Sequence, residues 1–364
     1  MPHRIYLDHA ATTPMLPEAM AAVADGMRRW ANPSSPHAEG RAARAALEDA
    51  RARIKLALEW DGELIFTGGA SESIAIALGR AQGGKRIVSA VEHDSVLRAA
   101  PGAERVSVLV DGHVDFEALG HALRGAGERP VVVIQHVNSE TGVVQPLGDI
   151  AVAVRQVGGL LFADCAQSAG RLALPDGDLI AVSAHKLGGP PGVGALLVRD
   201  SAMLVPSGGQ ERGYRGGTEN LPGILGFAAA VEANGPRTDG IADWVRIHIA
   251  NRAHLDDVIH AAGGTAICQE TERSPLVASY RMPGMQSAAQ LVRFDLGGFA
   301  VSAGSACSSG TLKASAVMQA LRIDLAEAGE VARVSFGQST TRAEIDAFAA
   351  AWTAMAREAK SRAA

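Results

Sequence analysis

Between residues 40 and 200 the chain repeats one rhythm, a short apolar, β-branched run followed by an Ala-rich stretch with helical spacing. Runs at 63–67, 86–90, 130–137, 159–163 and 178–183 are short, bounded by turn residues and read as strands. Strands that alternate with helices need crossover connections, so the pattern predicts an α/β fold whose mostly parallel sheet is covered on both faces. After Ser35-Pro36, residues Leu47, Ala50, Ile54 and Leu58 recur at helical spacing and lay one apolar stripe against the sheet. Ser35 is the expected cap and Pro36 the expected first-turn residue.

Breakers cluster at 235–240 and mark a domain boundary, beyond which strands are expected at 276–281 and 331–336 and a helix from 341 onward. With 34 Lys and Arg against 39 Asp and Glu, the net charge of −5 includes no basic block able to track a nucleic-acid backbone. No apolar run approaches the ~18 residues of a membrane span, and the N-terminal residues lack a signal-peptide core. Three cysteines at unequal spacing exclude a disulfide framework and a zinc ribbon, which makes the cytoplasm the expected compartment.

Ligands of open α/β sheets bind beyond the carboxyl ends of the strands, so the residues after each apolar run are the candidates. The turn Gly68-Gly69-Ala70-Ser71 leads from strand to helix and suits an anion, with a capping role for Ser71 as the plain alternative. A competing nucleotide loop at 79–86 fails, because Arg86 replaces the magnesium-binding hydroxyl and the segment runs from helix into strand. Asp164 ends one strand and Lys186 follows another, with Ser183 and His185 just before it. Either alone is a common surface residue. Together they suit pyridoxal 5'-phosphate, with Lys186 forming the Schiff base and Asp164 keeping the pyridine nitrogen protonated.

His93 lies on the same rim, as a stacking acid or base or simply as a helix-start residue. His248, His254 and His260 fall on different faces of one helix, so no metal is expected. Cys268 reads as structural, whereas Cys307, in the small-residue stretch 302–311, is placed as a nucleophile.

These stretches resemble the cysteine desulfurases of the class V aminotransferase family, of the nitrogen-fixation and iron-sulfur-cluster type. The resemblance runs from Tyr6-Leu7-Asp8-His9 to Ser339-Thr340-Thr341 and rests on Asn32-Pro33-Ser34-Ser35, 66–73, Glu92-His93, 136–142, 164–167, 183–186, Arg215-Gly216-Gly217-Thr218 and Gly304-Ser305-Ala306-Cys307. It implies a fold-type I transferase with a large domain over 14–235, and a smaller α+β domain from 1–13 and 236–364 that carries the cysteine loop. By the same resemblance, Gly69, Ala70, Ser71, Ser183 and His185 hold the phosphate, His93 stacks on the ring, and Asn138 and Gln167 bond its polar edge. Arg333, Asn138 and Asn32 bind substrate, and Thr218 reaches the neighbouring site of a homodimer.

The implied reaction converts L-cysteine to L-alanine and leaves the sulfur as a persulfide on Cys307, for an acceptor protein the sequence does not name. Lys186 moves the Cα proton and His93 manages the proton of substrate or thiol. Selenocysteine lyase, other class V chemistry and a weakly active pyridoxal-binding accessory protein stay open. Cys165, beside Asp164, departs from the family's usual small apolar residue.

Overall fold

The computed structural model describes residues 4–303 and 315–363. A short strand β1 (Ile5–Tyr6) precedes helices α1 (Pro17–Arg28) and α2 (Ala38–Ala57). Seven strands then build the central sheet: β2 (Glu63–Thr67), β3 (Arg86–Ser89), β4 (Glu104–Val106), β5 (Val131–Gln135), β6 (Leu160–Asp164), β7 (Leu179–Ser183) and β8 (Gly194–Val198). Helices α3 (Ala70–Arg80), α4 (Asp94–Ala99), α5 (Phe116–Arg124) and α6 (Leu147–Gln156) lie between them.

The strand order is β2-β8-β7-β6-β5-β3-β4, parallel from β7 to β4, with β8 antiparallel to both neighbours. Every residue of β5, β6, β7 and β8 is buried, as a sheet covered on both faces requires. Their apolar runs end in Gln135, Asp164 and Ser183, so the first polar side chains of three adjacent strands meet on one rim.

Two expectations need correction. Helix α2 is capped by His37, whose Nδ1 accepts from the Gly40 N–H at 3.2 Å, and not by Ser35. Ser35 instead packs against Gly40, where a Cβ would lie 2.3 Å from the Ser35 carbonyl oxygen. Strand β8 was also not among the expected runs; it returns from β7 without a crossover helix and so breaks the rhythm that flagged the others.

The later elements are α7 (Leu221–Ala233), β9 (Arg237–Thr238), β10 (Ile241–Ala242), α8 (Asp243–Ala261), β11 (Thr265–Ala266), β12 (Val277–Arg281), α9 (Ser287–Leu296), β13 (Phe299–Ala300), α10 (Ala316–Ala320), α11 (Leu325–Ala328), β14 (Val331–Ser335) and α12 (Arg342–Ala363). The breaker cluster at 235–240 forms the β9–β10 hairpin. Strands β11, β12 and β14 make a small antiparallel sheet, and β1 pairs in parallel with β13. Leu7, Leu255, Tyr280, Phe294, Phe336, Phe348 and Trp352 bury a second core drawn from both ends of the sequence. Among the described residues no helix is long and apolar enough to cross a membrane.

Candidate active site

A cavity of about 690 Å³ opens beyond the carboxyl ends of β5, β6 and β7. Gly69, Ala70, Ser71, His93, Asp164, Gln167, Ser183, His185, Lys186 and Arg333 all line it, so ten positions singled out across 265 residues of sequence share one wall.

Lys186 closes a single 3-10 turn directly after β7 and donates from Nζ to the carbonyl oxygens of Ala10 and, at 2.9 Å, Ala11. Burial pulls its amine down to about 8, helped by the charges of Arg333 and Arg171 and opposed by Asp164 and Asp8. Asp164 is also buried; desolvation raises its pKa, while the Ala166 N–H at 2.9 Å, His93 and Lys186 favour the charged form. His93 is the cap of α4: its Nδ1 accepts from the Ser95 N–H at 3.2 Å, which in the neutral ring leaves the proton on Nε2. The helix-start reading of His93 therefore holds, and the ring also lines the cavity.

Helix α3 begins at Ala70 with Gly69 as its cap residue and no capping side chain, so Ser71 is not the cap. Gly69 has φ +141°, a conformation natural to glycine, and lies close to the Ser183 hydroxyl. Gly194 makes that approach possible, because a Cβ there would sit 2.7 Å from the Gly69 Cα. His185 holds Nδ1 against the Thr12 hydroxyl at 3.1 Å, and burial lowers it to about 4, so the ring is neutral.

Asn138 is buried and does not line the cavity, although its neighbours Val137 and Ser139 do. It braces the loop: its Oδ1 accepts from the Glu140 and Thr141 N–H groups, each at 2.9 Å, and its Nδ2 donates to the Val91 carbonyl at 3.3 Å. Arg333 is buried, donating to Asp8 at 2.8 Å and to the Ser139 carbonyl at 3.0 Å. Asn32 is not among these residues: it is exposed and lines a different cavity of about 340 Å³, together with Thr218.

Cys307 lies outside the described residues. Ser302 and Arg333 exchange backbone hydrogen bonds at 3.2 and 2.6 Å, and Ser315 donates to the buried Glu140 carboxylate at 2.6 Å. Cys165 is fully buried, and burial pushes its thiol well above the ordinary range, so it is inert beside Asp164. Cys268 is only partly buried, against the expectation for a structural cysteine; its thiol is raised to about 11. No group of three or more metal-ligating side chains occurs among the described residues.

The sequence reading gave no role to four contributors, Asp8, Glu92, Arg171 and Gly194, although Asp8 and Glu92 stand in motifs that carry the resemblance. Arg171 is buried and donates to the carbonyl of Lys186 and to the Thr13 hydroxyl. The Glu92 carboxyl accepts from the Gln135 N–H at 2.9 Å, while its other oxygen is buried without a partner. A charged residue embedded in an apolar or small-residue stretch was the available signal for Arg171 and Glu92. Gly194 carried no such signal, because β8 itself was not expected.

The residues fit pyridoxal phosphate. The uncapped N-terminus of α3 offers backbone N–H groups and the positive end of a helix dipole to a phosphate. A buried carboxylate at Asp164 needs a cationic partner, a ring nitrogen carrying a proton being one. The Gln167 Oε1 atom is buried without any hydrogen bond, and a ring hydroxyl would satisfy it.

An α/β enzyme with a lysine and a carboxylate on its carboxyl rim is the class this fold and cavity define. The chain belongs to the aminotransferase class-V family, whose sequence profile matches residues 5–348. The family depends on pyridoxal phosphate. The IscS-like cysteine desulfurase of Mycobacterium tuberculosis is 34% identical across 94% of this chain and 93% of that protein. A cysteine desulfurase of Gluconacetobacter diazotrophicus is 34% identical across 94% and 90%. Among solved structures, a NifS-like protein from Rickettsia africae superposes with a TM-score of 0.87 at 29% identity, covering 97% of this chain and 99% of that one.

Proposed function

We propose that the protein is a pyridoxal-phosphate-dependent cysteine desulfurase that converts L-cysteine to L-alanine and passes the sulfur on as a persulfide for iron-sulfur cluster or thio-cofactor synthesis. The convergence of Lys186, Asp164, His93 and Arg333 on one cavity carries this reading. The cofactor, held through Lys186, supplies an electron sink for the charge left at the substrate Cα. Gly69, Ala70, Ser71, Ser183 and His185 hold its phosphate, Asp164 keeps its ring nitrogen protonated, and Gln167 and Asn138 bond its polar edge.

Arg333 orients the substrate by its carboxylate through charge-assisted hydrogen bonds. Lys186, with an amine near 8, exchanges the Cα proton close to neutral pH. His93 presents Nε2–H to the substrate side of the cavity. Cys307 then takes the sulfur: its Sγ bonds to the substrate sulfur, the C–S bond breaks, and the carbon keeps the bonding pair and accepts a proton. Ser302, bonded to Arg333, and Ser315, bonded to Glu140, flank the Cys307 stretch in sequence and support that role.

Thr218 and Asn32 serve the neighbouring subunit of a homodimer. Met20, Met27 and Trp30 on and just after α1 are exposed, Trp30 by 80%, and Met27 and Trp30 line one cavity with Thr218. Glu219 is buried with no hydrogen bond to either carboxylate oxygen, the Arg44 guanidinium standing 3.8 Å away, so this face suits a second copy. The second core, drawn from Leu7, Ala10 and residues 242–359, supports a small domain built from both ends of the chain, while Ile267, Val317, Met318, Leu321 and Val331 pack into the first core. The reading places the enzyme in the cytoplasm with a protein as sulfur acceptor.

Mass spectrometry after exposure to L-cysteine tests it. The holoprotein should be yellow, yield alanine and gain one sulfur atom on Cys307. Turnover of cysteine to sulfide by Cys307→Ala at the parent rate would remove Cys307 from the mechanism.

A further inference from the structure

Arg333 already holds a carboxylate. Its Nη2 donates to Asp8 Oδ1 at 2.8 Å, its Nη1 donates to the Ser139 carbonyl at 3.0 Å, and its Nε is buried without a partner. The side chains of Arg333 and Asp8 are 5% and 20% exposed, so water screens the pair only weakly. Asp8 does not owe its position to the arginine. It bridges to Ser335 on β14, its carbonyl accepts from the Tyr6 hydroxyl at 3.1 Å and the Ala11 N–H at 3.0 Å, and the preceding Leu7 carbonyl accepts from the Ser335 N–H.

An incoming amino acid therefore meets a guanidinium whose charge is balanced in advance by a group chemically the same as its own carboxylate. We propose that Asp8 is the resident carboxylate of the substrate clamp, a positioning residue that fixes the Arg333 guanidinium and competes with the substrate carboxylate for it. It thereby sets how tightly the site holds an α-amino acid. The role in turnover rests on the desulfurase reading; the competition for Arg333 does not.

Asp8→Asn keeps an acceptor for Nη2 and removes the charge, so it separates orientation from competition. In the holoprotein the KM for L-cysteine and the Kd for L-alanine, read from the cofactor absorption, should both fall about three- to tenfold. The kcat should change less than the KM, because the charge acts first on binding and reaches the reacting atoms only through the Lys186 amine. Asp8→Ala, which also frees the guanidinium, should bind both amino acids more weakly than Asp8→Asn.

Acetate supplies a probe that needs no chemistry. In cofactor-free protein it should raise the melting temperature of Asp8→Asn at a concentration several-fold lower than for the parent. Asp8→Ser gives the same comparison if the asparagine variant folds poorly. Unchanged or weaker acetate and alanine binding in the charge-free variants would overturn the proposal. Acetate behaving as expected while the parent leaves cysteine untouched would instead sink the desulfurase reading.

Discussion

Gly194 and Gly69 meet so closely that a Cβ on Gly194 would lie 2.7 Å from the Gly69 Cα and 2.5 Å from the Val182 carbonyl oxygen. The contact joins the start of β8 to the turn that opens α3, and it sets the distance between the phosphate-facing backbone and Ser183, which pairs with Gly194 in the sheet. Backbone atoms cannot rotate away as a side chain can. A methyl group here must push the two elements apart.

Gly194→Ala should therefore lower pyridoxal phosphate affinity at least tenfold and cost about 1–3 kcal/mol in stability, the usual range for overpacking. Absorbance titration of the cofactor-free protein and a melting curve measure both. Cofactor affinity equal to the parent's would show that the contact does not shape the cradle.

On the proposed reading, Lys186 would have to lose its proton before its amine could hold the cofactor. With the amine lowered to about 8 by burial, the rate of cofactor uptake by cofactor-free protein should rise with pH through a midpoint near 8 and then level off. A lysine in water would not level off until above pH ~10. A rate still climbing tenfold per unit at pH 9.5 would contradict the depressed value.

The Glu92 carboxyl is buried, and desolvation holds its pKa well above the ordinary value of 4.5. The folded state thus keeps a proton that the unfolded chain releases, and stability is lost as pH rises from about 4.5 toward the folded pKa. Glu92→Gln retains the oxygen that accepts from the Gln135 N–H and escapes that loss. Its melting temperature should decline less than the parent's between pH 5 and 8. Parallel melting curves would mean that Glu92 is ionised.

In the proposed homodimer Trp30 should be a large part of the contact between subunits, since so exposed an indole beside the exposed Met27 is costly in water. Trp30→Glu should shift sedimentation toward the monomer and weaken cofactor retention through the loss of the partner's Thr218. A variant that sediments like the parent would place the subunit contact elsewhere.

The strands that carry the rim were legible because parallel, doubly covered strands are unbroken apolar runs, and the first polar residue after each marks the ligand side. Asp164, Lys186, His93 and Ser183 were found that way. Strand β8 was not, because it returns from β7 without a helix and so lacks the alternation used as the signal. Asp8 and Arg171 stayed hidden for a different reason. Their partners, Arg333 and the Lys186 carbonyl, are distant in sequence or bonded through backbone, and no local spacing encodes either. The α2 cap was misassigned because Ser35 has the right chemistry, but packing against Gly40 claims it.

The second core has a temporal consequence. Leu7 and Asp8 emerge early from the ribosome, yet their partners Ser335 and Arg333 are made more than 320 residues later. The central sheet needs nothing beyond Val198 to pair all seven strands. A nascent chain can therefore display Asp164 and Lys186 on a formed rim while Arg333 has yet to be synthesised. The proposed carboxylate clamp is thus complete only after nearly the whole chain has been made, when the first strand finds its last neighbours.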